Sequence, residues 1–557
     1  MQKKITLIHI GDIHGHLVGR VHLRGDDGHG QQLGGLARLY SKIREIRDAN
    51  QDSLLINTGD TIQGSAEALF TRGGALVSVL NHFAIDFFAP GNWDFVYGTE
   101  RFIELFAAQQ PLAPWNALAA NLYYDGEPYA QNNGQRVLPP YAVKVVNGVR
   151  LGILGFTTDR GPNALGKHPT KGFRMSGGED ELREFIPHLR EHERVDAIVM
   201  ISELGLANNI RLAKMFSGID VILSSDMHEI TRAPVQLENG TLIVEEGQDG
   251  TVLGEIELFF EDGRLRERRF SSHTITQSIA PDPGIAAAVE RIRREYVSGP
   301  HFVEHVNPIN GTRLRRPLDS VVGQTAIPLC RAAFSDATMP AVIEGSSHDF
   351  LSDAFRAMSS ADIGAIRGFR YGTHVAAGPI TLDDLYHFIP IGPLIAAGDV
   401  AGKKIAKQLE KAANGCLSPD IKQWTGGWMF GYSGLSCTLD PYRREGERIS
   451  EVRVEAGAGP AGTLETDKSY RYASYYYRHA PDEINGIEAS NIRIVTDEHQ
   501  EPLDATEVVV RYLASLSGQT ANPSLGRIRL ARALPAPAYT NPEIQPLEGC
   551  KSDDTAQ

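Results

Sequence analysis

Apolar residues over the first 270 or so positions fall into two alternating patterns. Short runs rich in branched side chains, ITLIHI, SLLINT, VRLGILGF, AIVMI, VILSS and TLIVEE, predict buried strands. Between them lie amphipathic stretches, GGLARLYSKIREIRDA, ALVSVLNHF, EDELREFIPHLREHER and NIRLAKMF, which predict helices. Strands that alternate with helices imply a layered α/β domain, with chemistry in the loops at strand carboxyl ends.

At PDPGIAAAVERIRREYV the pattern becomes one helix opened by Pro281-Asp282-Pro283, with no strand beside it. This reads as a connector. A second α/β block follows, with DFLSDAFRAM, TLDDLYHFI and AGKKIAKQLEKAA as helices and ADIGAI as a strand. The expected division is a catalytic domain over 1–275, a connector over 276–305, a substrate domain over 306–534 and a disordered, proline-rich tail over 535–557. Two large domains agree with the length of 557 residues, since single cores stop growing at about 250 to 300.

Composition narrows the function. A formal net charge of −14 argues against general affinity for nucleic acid or an anionic membrane, both of which require a basic surface. The four cysteines, Cys330, Cys416, Cys437 and Cys550, form no C-x-x-C pair, which excludes a zinc ribbon or dithiol motif and leaves room for one disulfide. The opening MQKKITLIHIGDIHGHL is broken at His9 and Asp12 before a secretory core can form, and no run of about 18 apolar residues occurs. A cytoplasmic protein is expected.

The candidate chemistry lies at strand ends. LIHIGDIHGHL ends in Asp12 and His14, LLINTGDTIQGS in Asp60, FFAPGNWDFVYG in Asn92, AIVMISELG in Glu203 and VILSSDMHE in Asp226 and His228. Any one of these alone reads as a turn or a helix cap. Seven oxygen or imidazole donors at the ends of five strands, in this order, form a metal-binding set.

These stretches resemble the five blocks of the calcineurin-like metallophosphoesterases, in the branch that includes the 5'-nucleotidases: D-x-H, G-D-x-x-Q-G, G-N-H-[DE], S-H-x-G and G-H-T-H. The resemblance covers nearly the whole chain. It implies an α/β fold, with a four-layer metallophosphoesterase β-sandwich and flanking helices followed by a C-terminal α/β 5'-nucleotidase-like domain. It also implies two divalent ions, with manganese favoured and iron, magnesium or zinc as alternatives. By position, Asp12, His14 and His228 would hold the first ion, Asp60 would bridge both, and Asn92, Glu203 and Asp226 would hold the second. Asp60 and Asn92 are then the catalytic candidates.

The sequence departs from this pattern at informative places. Glu203 replaces the S-H-x-G histidine and Asp226 replaces the first histidine of G-H-T-H. Four carboxylates against two divalent ions sum to about zero, where two carboxylates would leave about plus two, so a phosphate dianion is attracted less strongly. Trp93 and Val96 stand where nucleotidases resemble one another in a catalytic histidine and its aspartate. TIQGSAEALFTRG, GNWDFVYG, RGFRYGTHVAAGPIT and YSGLSCTLDP are most similar to the thiosulfohydrolases of bacterial sulfur oxidation, which also carry tryptophan there.

Two metal ions lower the pKa of a bridging water and hold the entering and leaving oxygens, so the implied reaction is hydrolysis of an ester at phosphorus or sulfur. The C-terminal domain would select the substrate. Its nucleoside clamp is incomplete, because IPIGP puts Ile391 and Pro393 where the family has an aromatic and an amide, and the G-G-D-G run is missing from YRYASYYYRHAPDEING. Arg367 and Arg370 are candidates for anion contact, and Tyr475 and Tyr476 for ring stacking. The first expectation is a metal-dependent hydrolase of small phosphate esters. Its alternatives are a sulfohydrolase acting on a carrier-protein thiol and a non-catalytic metal-binding homologue.

Overall fold

The computed structural model describes residues 2–23, 30–228, 230–231, 233–247, 249–330, 343–367, 374–425, 429–455 and 461–533. Arg370, Cys550 and the tail expected to be disordered lie outside them. Residues 2–20 and 31–296 form one compact unit, and most of the rest form a second.

The first unit is built on two mixed sheets. One orders its strands Arg264–Thr274, Val252–Glu261, Gln2–Ile10, Ser53–Asn57 and Phe87–Phe88, and the other Val235–Gln236, Leu242–Glu245, Val221–Ser224, Ala197–Ser202, Val149–Phe156 and Tyr141–Val146. Alternate residues from both sheets form one core: Ile5, Leu7, Leu54 and Ile56 pack with Ile153, Val199, Ile201 and Leu223. The opposite face of the second sheet, with Leu154, Ile198 and Met200, packs on helices Glu179–Pro187 and Leu206–Met215 through Leu182, Phe185 and Ile210. Ala197–Ser202 is thus buried on both faces, which explains its unbroken apolar sequence.

The parallel pairs Ile10 with Asn57 and Ser202 with Ser224 align strand carboxyl ends at the same level. That alignment lets loops from separate strands meet. The helix Pro283–Arg293 forms as the sequence predicts, with the Asp282 side chain accepting from the Gly284 and Ile285 amides. Its contacts place it in the first unit rather than in an independent connector, with Arg44 paired to Asp282 and Arg293 to Glu67.

The second unit centres on a sheet ordered Gly431–Ser433, Ile363–Ile366, Ser469–Tyr476, Leu394–Ala401 and Ser490–Ile494. Helices Ser346–Ser359, Leu382–Phe388, Gly402–Leu417 and Ala505–Ser515 accompany it. Cys330, Cys416 and Cys437 are free thiols.

Candidate metal centre

Each sequence-predicted donor sits just past a strand end, and most sit on unusual backbone. Asp12, His14, Asp60, Asp226 and His228 have φ of 47°, 44°, 45°, 93° and 57°. For residues other than glycine such angles cost on the order of 1–3 kcal/mol each, and they gather where a structure holds side chains for a purpose. The loops are tied to one another by backbone bonds from Asp12 to Gly59 (3.0 Å) and from His14 to Asp60 (2.9 Å).

Asp12, His14, Asp60 and His228 each present one donor atom, all within 4.8 Å of one another. His14 Nε2 lies 2.9 Å from His228 Nε2 and 3.5 Å from Asp60 Oδ2, and His228 Nε2 lies 3.5 Å from Asp12 Oδ1. Adjacent donors around an ion with bonds of about 2.1 Å stand roughly 3 Å apart, so this spacing fits a metal.

The remaining atoms of these side chains are occupied in a way that aims the donors. His14 Nδ1 is 3.2 Å from Gln63 Oε1, which leaves Nε2 to face the cluster. Asp12 Oδ2 accepts the Asp226 amide at 3.2 Å, and Asp60 Oδ1 accepts the Trp93 amide at 2.7 Å. Asp12 Oδ1 and Asp60 Oδ2 are buried without a hydrogen bond. Burial first, and neighbouring carboxylates second, push Asp12 and Asp60 well above the usual carboxylate range. A cation removes that cost, and the residues present therefore fit a divalent metal.

Asn92, Glu203 and Asp226 border this group. Asn92 Nδ2 donates to Asp226 Oδ1 at 3.0 Å, and Asn92 Oδ1 is buried without a hydrogen bond. Both Glu203 oxygens are likewise buried without hydrogen bonds, and burial followed by repulsion from Asp60 raises the Glu203 pKa well above its ordinary value. Gly91 lies between Asp60 and Glu203, and a Cβ there would collide with Asp60 Oδ1 and Glu203 Oε1. Gly91→Ala is therefore expected to destabilise the fold by about 1–3 kcal/mol and to weaken metal binding, as read by urea unfolding with and without manganese. Unchanged unfolding and metal content would remove Gly91 from the architecture of the site.

Sequence reasoning missed three contributors. Asp94 accepts from the amides of Thr61 (3.0 Å), Ile62 (3.1 Å) and Gly91 (2.8 Å), clamping two ligand loops, while burial raises its pKa to about 6. Gln63 orients His14 as described. Arg160 forms a buried ion pair with Asp226. Gln63 and Asp94 lie inside the quoted G-D-x-x-Q-G and G-N-H-[DE] blocks, so a signal existed for both; Arg160, in TTDRG, had none.

Trp93 is 8% exposed and contributes its backbone amide to Asp60. In the second unit, Tyr475 and Tyr476 are 3% and 9% exposed, in register with Ile395 and Leu394. Tyr475 packs against Phe355, and Tyr476 joins a cluster with Leu394 and Ala396. These rings pack within the fold and present no open face for stacking. Arg367 is half-buried, and its charge acts on Tyr477. In IPIGP, Pro393 is buried and the carbonyls of Ile391 and Gly392 face Asn307 Nδ2 at 3.3 and 3.4 Å.

Comparison with known proteins agrees with this geometry. Residues 5–229 match the calcineurin-like phosphoesterase family, and residues 321–485 match the 5'-nucleotidase C-terminal domain. A trifunctional nucleotide phosphoesterase of Bacillus subtilis is 22% identical over 94% of this chain, which spans 35% of that relative's length. Two solved Thermus thermophilus structures share the fold across 95% of the chain. One is a 5'-nucleotidase precursor (TM-score 0.77, 21% identity, 99% of that chain) and the other the sulfate thiohydrolase SoxB (TM-score 0.78, 20% identity, 96% of that chain). The chain thus joins a calcineurin-like phosphoesterase domain, of a family of hydrolases that act on phosphate esters, over residues 5–229 to a 5'-nucleotidase C-terminal domain over residues 321–485.

Proposed function

We propose that the protein hydrolyses small phosphate esters, with nucleotides as the leading substrate class, in a reaction that depends on divalent metal. The observation that carries this reading is the convergence of Asp12 Oδ1, His14 Nε2, Asp60 Oδ2 and His228 Nε2, with the other carboxylate oxygens and His14 Nδ1 held by neighbouring groups. Asp12, His14 and His228 would hold a first ion, Asp60 would bridge, and Asn92, Glu203 and Asp226 would hold a second. Bound ions would supply an activated water and positive charge opposite the ester.

The chain's own residues do the rest. Burial of the cluster excludes bulk water and strengthens every charge interaction within it. The amides of Thr61, Ile62 and Gly91, clamped on Asp94, fix the loops that carry Asp60 and Asn92. Neither Trp93 nor Val96 can exchange a proton at neutral pH, so the leaving group receives no help from the positions where nucleotidases resemble one another in a histidine and an aspartate. Arg367 supplies a candidate anion contact in the second unit.

Manganese is the favoured metal, because Glu203 and Asp226 add hard oxygen donors where imidazoles would favour zinc. Glu203→His is expected to move metal preference toward zinc by roughly tenfold, read by competition between manganese and zinc. An unchanged ranking would remove Glu203 from the ligand set. Three free thiols suit a reducing compartment such as the cytoplasm. Among the described residues no helix is long and apolar enough to cross a membrane.

Phosphate release from p-nitrophenyl phosphate, its bis ester and nucleoside monophosphates, with and without manganese, tests the proposal. Metal-dependent release supports it. Inactivity toward all of them, with turnover of an S-sulfonated thiol, would favour the sulfohydrolase reading that Trp93 motivates.

A further inference from the structure

Glu203 and Asp226 occupy the two positions where the sequence replaces histidine by an acid, yet the structure treats them differently. Neither Glu203 oxygen has a hydrogen bond. Asp226 Oδ1 accepts from Asn92 Nδ2 at 3.0 Å, and Oδ2, which like the Glu203 oxygens has no hydrogen bond, forms an ion pair with the guanidinium of Arg160. The pair is sealed, with side-chain exposures of 10% for Arg160 and 3% for Asp226.

The surroundings are shaped to hold it. The Arg160 amide bonds to Thr158 Oγ1 at 3.0 Å, and both terminal guanidinium nitrogens lie 3.4 Å from Met227 Sδ. Gly205, at φ 80°, leaves the room: a Cβ there would sit 3.2 Å from both Arg160 Nη2 and Asp226 Oδ2. Asp159 is farther from the guanidinium, at 3.8 Å, and the charge of Arg160 also acts on Asp60.

We propose that Arg160 is the compensating cation of this centre: it neutralises Asp226, competes for its oxygen with the second metal ion, and adds one positive charge to the loaded site. This rests on the metal-centre reading above. It also changes the charge arithmetic. Four carboxylates and two divalent ions cancel, and the guanidinium then adds one fixed positive charge that does not depend on metal supply. A site so arranged retains attraction for an anionic ester even though two histidines have become acids. It also binds its two ions unequally, tightly among Asp12, His14, Asp60 and His228 and weakly where Asp226 is already paired.

Calorimetric titration of the metal-free full-length protein with manganese tests this without measuring turnover. Arg160→Gln is expected to tighten the weaker ion by roughly tenfold or more while leaving the stronger one within about threefold. Arg160→Lys keeps the charge and should bind both ions much as the native protein does, which separates loss of charge from loss of fold. In an Asp226→Asn background the effect of Arg160→Gln should fall to within about threefold, because the competing partner is gone. A weaker ion that is unchanged or looser in Arg160→Gln would overturn the proposal, as would an effect that persists in full in Asp226→Asn. Native protein that takes up no ion at all would instead sink the metal-centre reading on which the proposal stands.

Discussion

Asp60→Asn is expected to lose most bound metal and to cut turnover by roughly 10³-fold or more, equivalent to about 4 kcal/mol of transition-state stabilisation. The substitution keeps the shape, and an amide oxygen can still accept the Trp93 amide that Oδ1 accepts now at 2.7 Å. What disappears is the charge on Oδ2, which is buried without a hydrogen bond and 3.5 Å from His14 Nε2. Loss of an anion that faces two imidazoles and a second carboxylate removes the central ligand of the set. Metal analysis of the purified variant beside native protein checks it. Full metal content and activity in the variant would show that Asp60 is not a ligand.

The second large effect is on stability. Saturating manganese, at about 100 times its Kd, should stabilise the first unit by about 2.7 kcal/mol, a rise in Tm of roughly 4–5 °C for a unit of this size. A chelator should reverse it. The metal-free protein should also gain stability as the pH falls from neutral toward about 5. Asp12, Asp60 and Glu203 have folded pKa values raised by burial and by one another, so the folded chain takes up protons that the unfolded chain does not yet hold. That contribution is lost as the pH rises through the raised values. Metal-free Asp60→Asn, with one repelling carboxylate gone, should be more stable at neutral pH than metal-free native protein and show a shallower pH dependence. Calorimetric scans at several pH values, with chelator and with manganese, read both effects. Tm values that ignore both metal and pH would contradict them.

The candidate donor loops were legible in the sequence because they follow apolar runs that read as buried strands. Ala197–Ser202 and Val221–Ser224 are buried at every position, and the break from apolar to polar marks where Glu203 and Asp226 emerge. What those residues then touch was not legible. Arg160 lies in a loop after Val149–Phe156, and its pairing with Asp226 depends on how neighbouring strands of the second sheet line up.

Edge elements were harder to see. The strand Arg264–Thr274 pairs with Val252–Glu261 along its length but is mostly exposed, so RLRERRFSSHT lacks the alternation that signals a strand. Asp262-Gly263, with φ of 51° and 73°, was the available signal of a tight hairpin. Tyr475 and Tyr476 show the opposite problem. An aromatic strand reads equally as packing or as a stacking platform, and only the register with Leu394–Ala401 reveals both rings as buried.

Anomalous scattering from a crystal of the native protein soaked in manganese tests the central claim most directly. The account predicts a peak at bonding distance from Asp12 Oδ1, His14 Nε2, Asp60 Oδ2 and His228 Nε2, strongest there and weaker beside Glu203 and Asn92. Manganese bound elsewhere, with no peak among these four donor atoms, would contradict it.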